Sequence, residues 1–372
     1  KPFRLVGPWG TPMRLWFVAG LGILGRLTLQ RPMALSPPSA GRVALRASAP
    51  GPGQAQTSGR VLVRNGEARE PWLSKEELLK EHAGPYTTAR TVDQESIFEL
   101  SMHCSRLHET ALAILERELA EGVAPSSARR QAYEFLKAAG PQGLKPLVKH
   151  EIRKALDFLG VPGSNENIDM RPDFQVTMML TWTDVDESTP ETRGFDFFTF
   201  VQALPHVDPM VDVEGHPAER SNPTIKDSQW VRDRESLEEL QRRSGINEIV
   251  MFDADGLATE GLQTNFVAIS SDGVVLTAPD ERVLAGTVRK VLLEVATQEG
   301  IPVRLACPDI HDVEKWESCL VCSTSRLARP ISNFKVPSLS TCREFPKQGT
   351  VAHRLQALVS AAVKSHSEPL AD

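Results

Sequence analysis

Between residues 248 and 289 the chain alternates in a way that admits few folds. An apolar stretch at 249–252 runs into Asp253-Ala254-Asp255-Gly256, a second at 266–269 meets Asp272-Gly273, and a third follows at 274–277. Asp-Gly pairs between apolar runs predict tight hairpins, because glycine reaches positive φ without steric cost. The pattern then turns helical from Gly286 to residue 299, closed by Gly300 with Pro302 just beyond. Hairpins followed by a helix point to an α+β fold and not to a doubly wound parallel sheet.

The 372 residues allow two domains. Residues 50–75 are rich in Gly, Gln and Ser and read as a linker. A short helix is expected at 74–82, with Ser74 as its cap and Glu76 and Glu77 in its first turn. A β-rich stretch follows at 86–92. From His103 onward, Leu107, Ala111, Leu112, Leu115 and Leu119 recur at helical spacing up to Gly122. Two more helices are expected at 128–139 and 144–159, broken by Gly140-Pro141, then strands at 174–182 and 195–201 around a polar turn at 184–191. Pro205, Pro209 and Pro217, with no helical period between them, place the domain junction at 205–217. Further strands are expected at 303–306 and 320–322. The expected division is a leader and linker without fixed structure at 1–70, a small N-terminal domain at 71–205 and a C-terminal domain at 206–372.

The net charge of −6 conceals an asymmetry, since no acidic residue precedes Glu67 while arginines recur through that stretch. The remainder is acidic and offers no basic stripe for nucleic acid. An acid-free segment rich in Arg, Ser and Pro reads as a targeting leader. Its apolar run at 15–25, between Arg14 and Arg26, is too short to span a bilayer but suits a signal-peptide core. A signal-like core ahead of an Arg/Ser-rich stretch fits a two-part plastid address, with the mitochondrion as the alternative; stable membrane insertion is not expected. The five cysteines are odd in number and widely spread, which fits a reducing compartment. Cys319 and Cys322 resemble a redox pair, but an extended strand would send them to opposite faces. His103, His108 and His150 have no metal-ligand spacing and read as surface or capping residues, so no metal is expected.

Four chemical elements occur in order: Lys226, then Glu260 within Thr259-Glu260-Gly261-Leu262-Gln263-Thr264-Asn265, then Gly286-Thr287-Val288-Arg289 opening a helix, then Cys322-Ser323-Thr324-Ser325. An amine can form a Schiff base, a carboxylate can hold a pyridine nitrogen protonated, and a helix start with hydroxyls can hold phosphate. Together they describe a pyridoxal phosphate site. With these motifs, residues 84–335 resemble the class IV, or fold-type IV, pyridoxal phosphate enzymes. These include branched-chain and D-amino-acid aminotransferases and 4-amino-4-deoxychorismate lyases. The segment from 248 to 289, ending in Leu284-Ala285-Gly286-Thr287-Val288-Arg289 where the family has Leu-Pro-Gly-x-x-Arg, carries most of the likeness.

The resemblance implies a two-domain α+β fold, with a small N-terminal α/β domain and a larger C-terminal domain resembling a β-barrel with helices. It implies pyridoxal 5′-phosphate as cofactor, an amino acid and a 2-oxo acid as substrates, and a homodimer. Lys226 matches the Schiff-base lysine, which also moves the substrate proton. Glu260 matches the partner of the pyridine nitrogen, and Asn265 supports its hairpin. Arg106, in His103-Cys104-Ser105-Arg106-Leu107, matches a phosphate-binding arginine, joined by Thr287, Val288 and Thr324. Tyr86, Arg193 and Ser325 are candidates for the substrate pocket.

Three departures leave the substrate open. Val288 stands where aminotransferases usually carry threonine, a loss shared with the lyases. The small-domain Thr-Arg-Gly, whose arginine often reads the substrate carboxylate, becomes Thr177-Met178-Met179, with Arg193-Gly194 a possible substitute. Trp230 and Arg232-Asp233-Arg234 replace a segment of small residues and are expected to reshape the pocket. The expected activity is transamination. The alternatives are the lyase, which releases pyruvate and 4-aminobenzoate, and a cofactor-binding relative without catalysis.

Overall fold

The computed structural model describes residues 59–122, 126–160, 172–182 and 193–371. The expected leader as far as residue 58 and the turn at 184–191 lie outside the described residues. The first strands are β1 (Arg60–Arg64), β2 (Glu67–Arg69), β3 (Tyr86–Val92), β4 (Ser96–Phe98), β5 (Phe174–Trp182) and β6 (Phe195–Ala203). The helices among them are α1 (Lys75–Glu81), α2 (Leu100–Ala120), α3 (Ser127–Ala139) and α4 (Lys145–Phe158). Ser74 caps α1 as expected. Its hydroxyl accepts from the Glu77 N–H at 3.2 Å, and Glu77 returns a bond to the Ser74 N–H at 2.6 Å.

Strand alternation divides the two faces of this sheet. Ala89, Val176, Met178, Leu180 and Phe197 pack beneath α2, α3 and α4. Tyr86, Met179, Phe198 and Phe200 face the opposite way, against Leu78 and Leu79 of α1. The hairpin β1–β2 corrects the expected boundary at residue 70. Val61, Leu62 and Val63 are fully buried, and β1 pairs antiparallel with β6. Its two-residue turn, Asn65-Gly66, has both φ angles positive (50° and 85°), the geometry that matches strand twist. A short apolar run beside a Gly/Ser-rich flank hid the strand.

The second half contains β7 (Val211–Pro217), β8 (Glu248–Phe252), β9 (Ala258–Gly261), β10 (Asn265–Ser270), β11 (Val275–Thr277), β12 (Val303–Leu305), β13 (Trp316–Ser323), β14 (Leu327–Val336) and β15 (Thr341–Glu344). Its helices are α5 (Gln229–Asp233), α6 (Glu235–Ser244), α7 (Thr287–Gln298) and α8 (Val351–Ala362). The order β10-β13-β14-β7-β8-β9 closes on itself through β9 pairing β10. This is the expected barrel, and closure removes the exposed edges of those strands. Val213, Phe252, Ala258, Phe266, Val321 and Phe334, one from each barrel strand, join a single core. Phe266, Trp316 and Phe334 meet there in tilted and edge-on contacts with centroids 5.5–5.7 Å apart. Val267, Ile269, Leu320 and Cys322 alternate outward against α7 and α8. The proline-bearing stretch at 205–217 thus ends in a barrel strand and is not a linker throughout.

A last strand, β16 (Ser367–Pro369), returns to pair with β4. The first sheet therefore reads β16-β4-β3-β5-β6-β1-β2, and residues 206–372 are not a closed domain. Cys319 lies in the barrel core and Cys322 against the helices, so the two thiols face opposite ways as the strand period requires. Burial pushes Cys322 up to about 12 and Cys319 well above its usual range. Among the described residues, no helix is long and apolar enough to cross a membrane.

Candidate active site

Lys226 lies between β7 and α5, on a segment tied to the start of β3. Its carbonyl accepts from the Tyr86 N–H at 2.9 Å, and its N–H donates to Thr110 Oγ1 at 3.2 Å. The ammonium sits over the Tyr86 ring, 5.0 Å from the centroid. Burial lowers the lysine to about 8, and Arg106, Arg220 and Arg234 push the same way. Burial would raise Tyr86, but Lys226, Arg234 and Arg220 outweigh it and bring the phenol down to about 8.

Glu260 ends up in the same cavity because the β9–β10 hairpin pairs it with Asn265. Its Oε2 accepts from the Leu284 N–H at 3.1 Å. Its Oε1 is buried and makes no hydrogen bond, with Arg220 Nη1 at 3.5 Å. Burial holds the carboxyl above its ordinary value, against the pull of Arg220 and the Leu284 N–H. Asn265 Nδ2 donates to the Leu284 carbonyl at 2.8 Å. Asn265 also explains Gly286, where a Cβ would fall 1.8 Å from Asn265 Oδ1.

Gly286 caps α7 without any side-chain hydrogen bond, so the first amides of the helix are left without a capping acceptor. Thr287 Oγ1 and Thr324 Oγ1 are 2.9 Å apart. Arg106, carried on α2 and buried, donates from Nη2 to the Ala285 carbonyl. Burial lowers its guanidinium to about 10. Lys226, Glu260, Arg106, Thr287, Val288, Thr324, Tyr86 and Ser325 all line one cavity of about 340 Å³.

Arg193 does not join them. Its guanidinium lies 5.9 Å from the Phe135 ring of α3, and a Cβ on neighbouring Gly194 would meet the Ala128 carbonyl at 2.1 Å. It therefore lies on the helix-covered side of the sheet, away from the cavity. Trp230 and Arg234 do reach the cavity, whereas Arg232 bonds the Leu79 and Lys80 carbonyls and faces a neighbouring groove. His103 and His108 are buried, contrary to the surface or capping expectation. They pair with Thr87 Oγ1 at 2.7 Å and the Leu136 carbonyl at 2.9 Å. Burial, with Arg106 and Lys226 nearby, lowers His103 well below its usual range.

Sequence reasoning missed Arg220, which also stacks on Trp230 at 5.3 Å. It also missed Lys75, Gln175 and Arg326, all of which line the cavity. One signal was available for Arg220: a buried carboxylate such as Glu260 calls for a cation, and the loop after β7 is where one could come from.

The family model described as amino-transferase class IV matches residues 84–334. The chain belongs to that family. No curated protein matches it. Among solved structures it is similar to a branched-chain aminotransferase from Thermoproteus uzoniensis with norvaline, at 15% identity and TM-score 0.58, over 83% of this chain and 99% of that one. A hypothetical aminotransferase from Mycobacterium tuberculosis in its PLP-bound form gives 15% and 0.60, over 82% and 99%. The Escherichia coli branched-chain amino acid aminotransferase gives 17% and 0.59, over 84% and 100%. At these identities the likeness shows a shared fold.

Proposed function

We propose that the chain is a pyridoxal-phosphate-dependent aminotransferase that exchanges an amino group between an amino acid and a 2-oxo acid. The observation that carries this reading is the convergence of Lys226 and Glu260 on one cavity, with Arg106 and the start of α7 on its wall. The donor set fits the cofactor. Glu260 Oε1 is a buried acceptor that makes no hydrogen bond, with only the Arg220 ion pair beside it, and is suited to a ring N–H; the open amides of α7 suit a phosphate dianion.

Arg106, Thr287, Thr324 and the amide of Val288 would hold the phosphate, and Glu260 the ring nitrogen. Bound there, the cofactor supplies an electron sink for charge developing at the substrate α-carbon. Lys226 would supply the amine for the cofactor's aldehyde, and its lowered pKa keeps a usable fraction neutral near pH 8. Placed beside the substrate, the same amine would take the α-carbon's proton and hold it at Nζ. Arg220 keeps Glu260 oriented and offsets its burial.

Val288, in place of a second hydroxyl, favours one alternative, the aminodeoxychorismate lyase. The family likeness supports a homodimer. The acid-free segment before residue 59 supports delivery to a plastid, with the mitochondrion as the other address; a fluorescent fusion carrying only that segment separates them.

The test is to load the protein with pyridoxal phosphate and titrate it with L- and D-amino acids while recording the cofactor's visible absorbance. Conversion to the amino form of the cofactor, with release of a 2-oxo acid, is expected. Pyruvate release from aminodeoxychorismate without any acceptor would replace transamination by the lyase reaction. No lysine-bound cofactor absorbance would overturn the enzyme reading.

A further inference from the structure

Trp230 stands just after Lys226, where the resemblance expects small side chains, and it is only 8% exposed. Lys226 and Glu260 are fixed by different elements. Around the lysine, Tyr86 of β3 and Thr110 of α2 bond its backbone, Asp227 bridges Pro85, and Ser228 Oγ donates to the His82 carbonyl at 2.9 Å. Glu260 stands instead on the β9–β10 hairpin of the barrel. A ligand bonded to one residue and held at its ring by the other needs the two in a fixed relation.

Trp230 joins the two segments. Its indole Nε1 donates at 2.9 Å to the buried carbonyl of Leu262, in the hairpin turn that follows Glu260. Its ring carries the Arg220 guanidinium 5.3 Å from the centroid, and Arg220 Nη1 lies 3.5 Å from Glu260 Oε1. One side chain therefore touches both the hairpin that bears the carboxylate and the cation beside it. Polar contacts extend the junction along the rim. Arg234 Nη1 donates to the same Leu262 carbonyl at the longer distance of 3.4 Å. Glu238 Oε1 accepts from Arg234 Nε at 2.8 Å and from Gln263 Nε2 at 3.1 Å.

Apolar packing alone does not call for this residue. Trp230 also belongs to a small cluster with Ile249, Met251 and Leu262, edged by Leu240 of α6, and a phenylalanine would fill most of that space. What phenylalanine lacks is the indole N–H, which must find a partner when buried. Here that partner belongs to the Glu260 hairpin, while the backbone of the same residue continues from Lys226.

We propose that Trp230 is a positioning residue that sets Lys226 in register with the ring site at Glu260, through its bond to the Leu262 carbonyl. This rests on the proposed aminotransferase site and adds a residue that aligns it.

The experiment uses the full chain and two ligands that differ only at the group Lys226 would attack. Pyridoxal 5′-phosphate carries an aldehyde there; pyridoxine 5′-phosphate carries an alcohol and reports the ring and phosphate sites alone. The ratio of their dissociation constants, from equilibrium dialysis, measures what the lysine bond contributes. Trp230→Phe, checked for folding by circular dichroism, keeps an aromatic face for Arg220 and removes the N–H. It should cut the aldehyde's advantage by about tenfold while pyridoxine phosphate affinity stays within about twofold of wild type. Leu240→Ala loosens the same cluster and keeps the N–H, so it should lower the melting temperature and leave the ratio unchanged. Equal weakening of both ligands in Trp230→Phe, an unchanged ratio, or an equal fall in Leu240→Ala overturns the proposal while the cofactor site stands. Wild-type protein that binds the aldehyde no better than the alcohol overturns the aminotransferase reading and this proposal with it.

Discussion

Replacing Lys226 by Met should stabilise the cofactor-free protein, because the structure holds an ammonium where it is poorly solvated and near three arginines. Burial and those arginines move the lysine from its ordinary 10.5 to about 8. By linkage this corresponds to about 3 kcal/mol favouring the neutral side chain. Below pH 8 the lysine is charged both folded and unfolded, so the wild type bears the whole penalty. Between about 8 and 10.5 the folded lysine is neutral while the unfolded one still binds its proton. Wild-type stability therefore rises with pH through that window. Lys226→Met removes the charge and should melt higher than wild type at pH 6–7, by an amount equivalent to up to about 3 kcal/mol. The gap should close as pH approaches 10. Thermal melts of cofactor-free protein followed by circular dichroism, at matched ionic strength, read this directly. A variant that melts lower than wild type at pH 6–7, or a gap that does not change with pH, would refute the reasoning.

Gly286→Ala places a Cβ 1.8 Å from Asn265 Oδ1; shifting the hairpin or the start of α7 to relieve it should cost about 1–3 kcal/mol and weaken cofactor retention, measured by melts and by dialysis of loaded protein. Arg106→Met removes the buried guanidinium beside Ala285 and should raise the pyridoxal phosphate dissociation constant by roughly ten- to a hundredfold, read by equilibrium titration of cofactor absorbance. Phe334→Ala opens the barrel interior beside Phe266 and Trp316 and should cost about 3–5 kcal/mol, seen as a lowered denaturation midpoint.

The elements with strong local signals were legible. The Ser74 cap, the strand at 86–92, the three helices between residues 100 and 158 and the helix after Gly286 all carry their period or their punctuation within a few residues. The motif residues were legible for a related reason. Glu260, Asn265 and Gly286 are bound to one another by a hairpin and a close approach, so their order along the chain already carries their geometry. Several strands escaped, β1 and β7 among them, because their reasons are not local. β1 is a strand because Val61 and Val63 fit beneath distant helices, though Asn65-Gly66 marked its turn. β7 sits among prolines and is held by parallel neighbours, β14 and β8. Lys75, Gln175, Arg220 and Ser325 meet only through packing across the chain, and no spacing could have paired them. Arg193 illustrates the converse: it is close in sequence to the pocket strands, but it precedes β6 on the face that α3 covers.

The most direct test of the central claim is the position of covalent attachment. Protein loaded with pyridoxal 5′-phosphate is reduced with borohydride, digested, and its peptides read by mass spectrometry, since reduction turns a lysine–aldehyde linkage into a stable amine. The account predicts a phosphopyridoxyl group on the peptide carrying Lys226 and nowhere else in stoichiometric amount. A stoichiometric label on another lysine, or none under saturating cofactor, would contradict it.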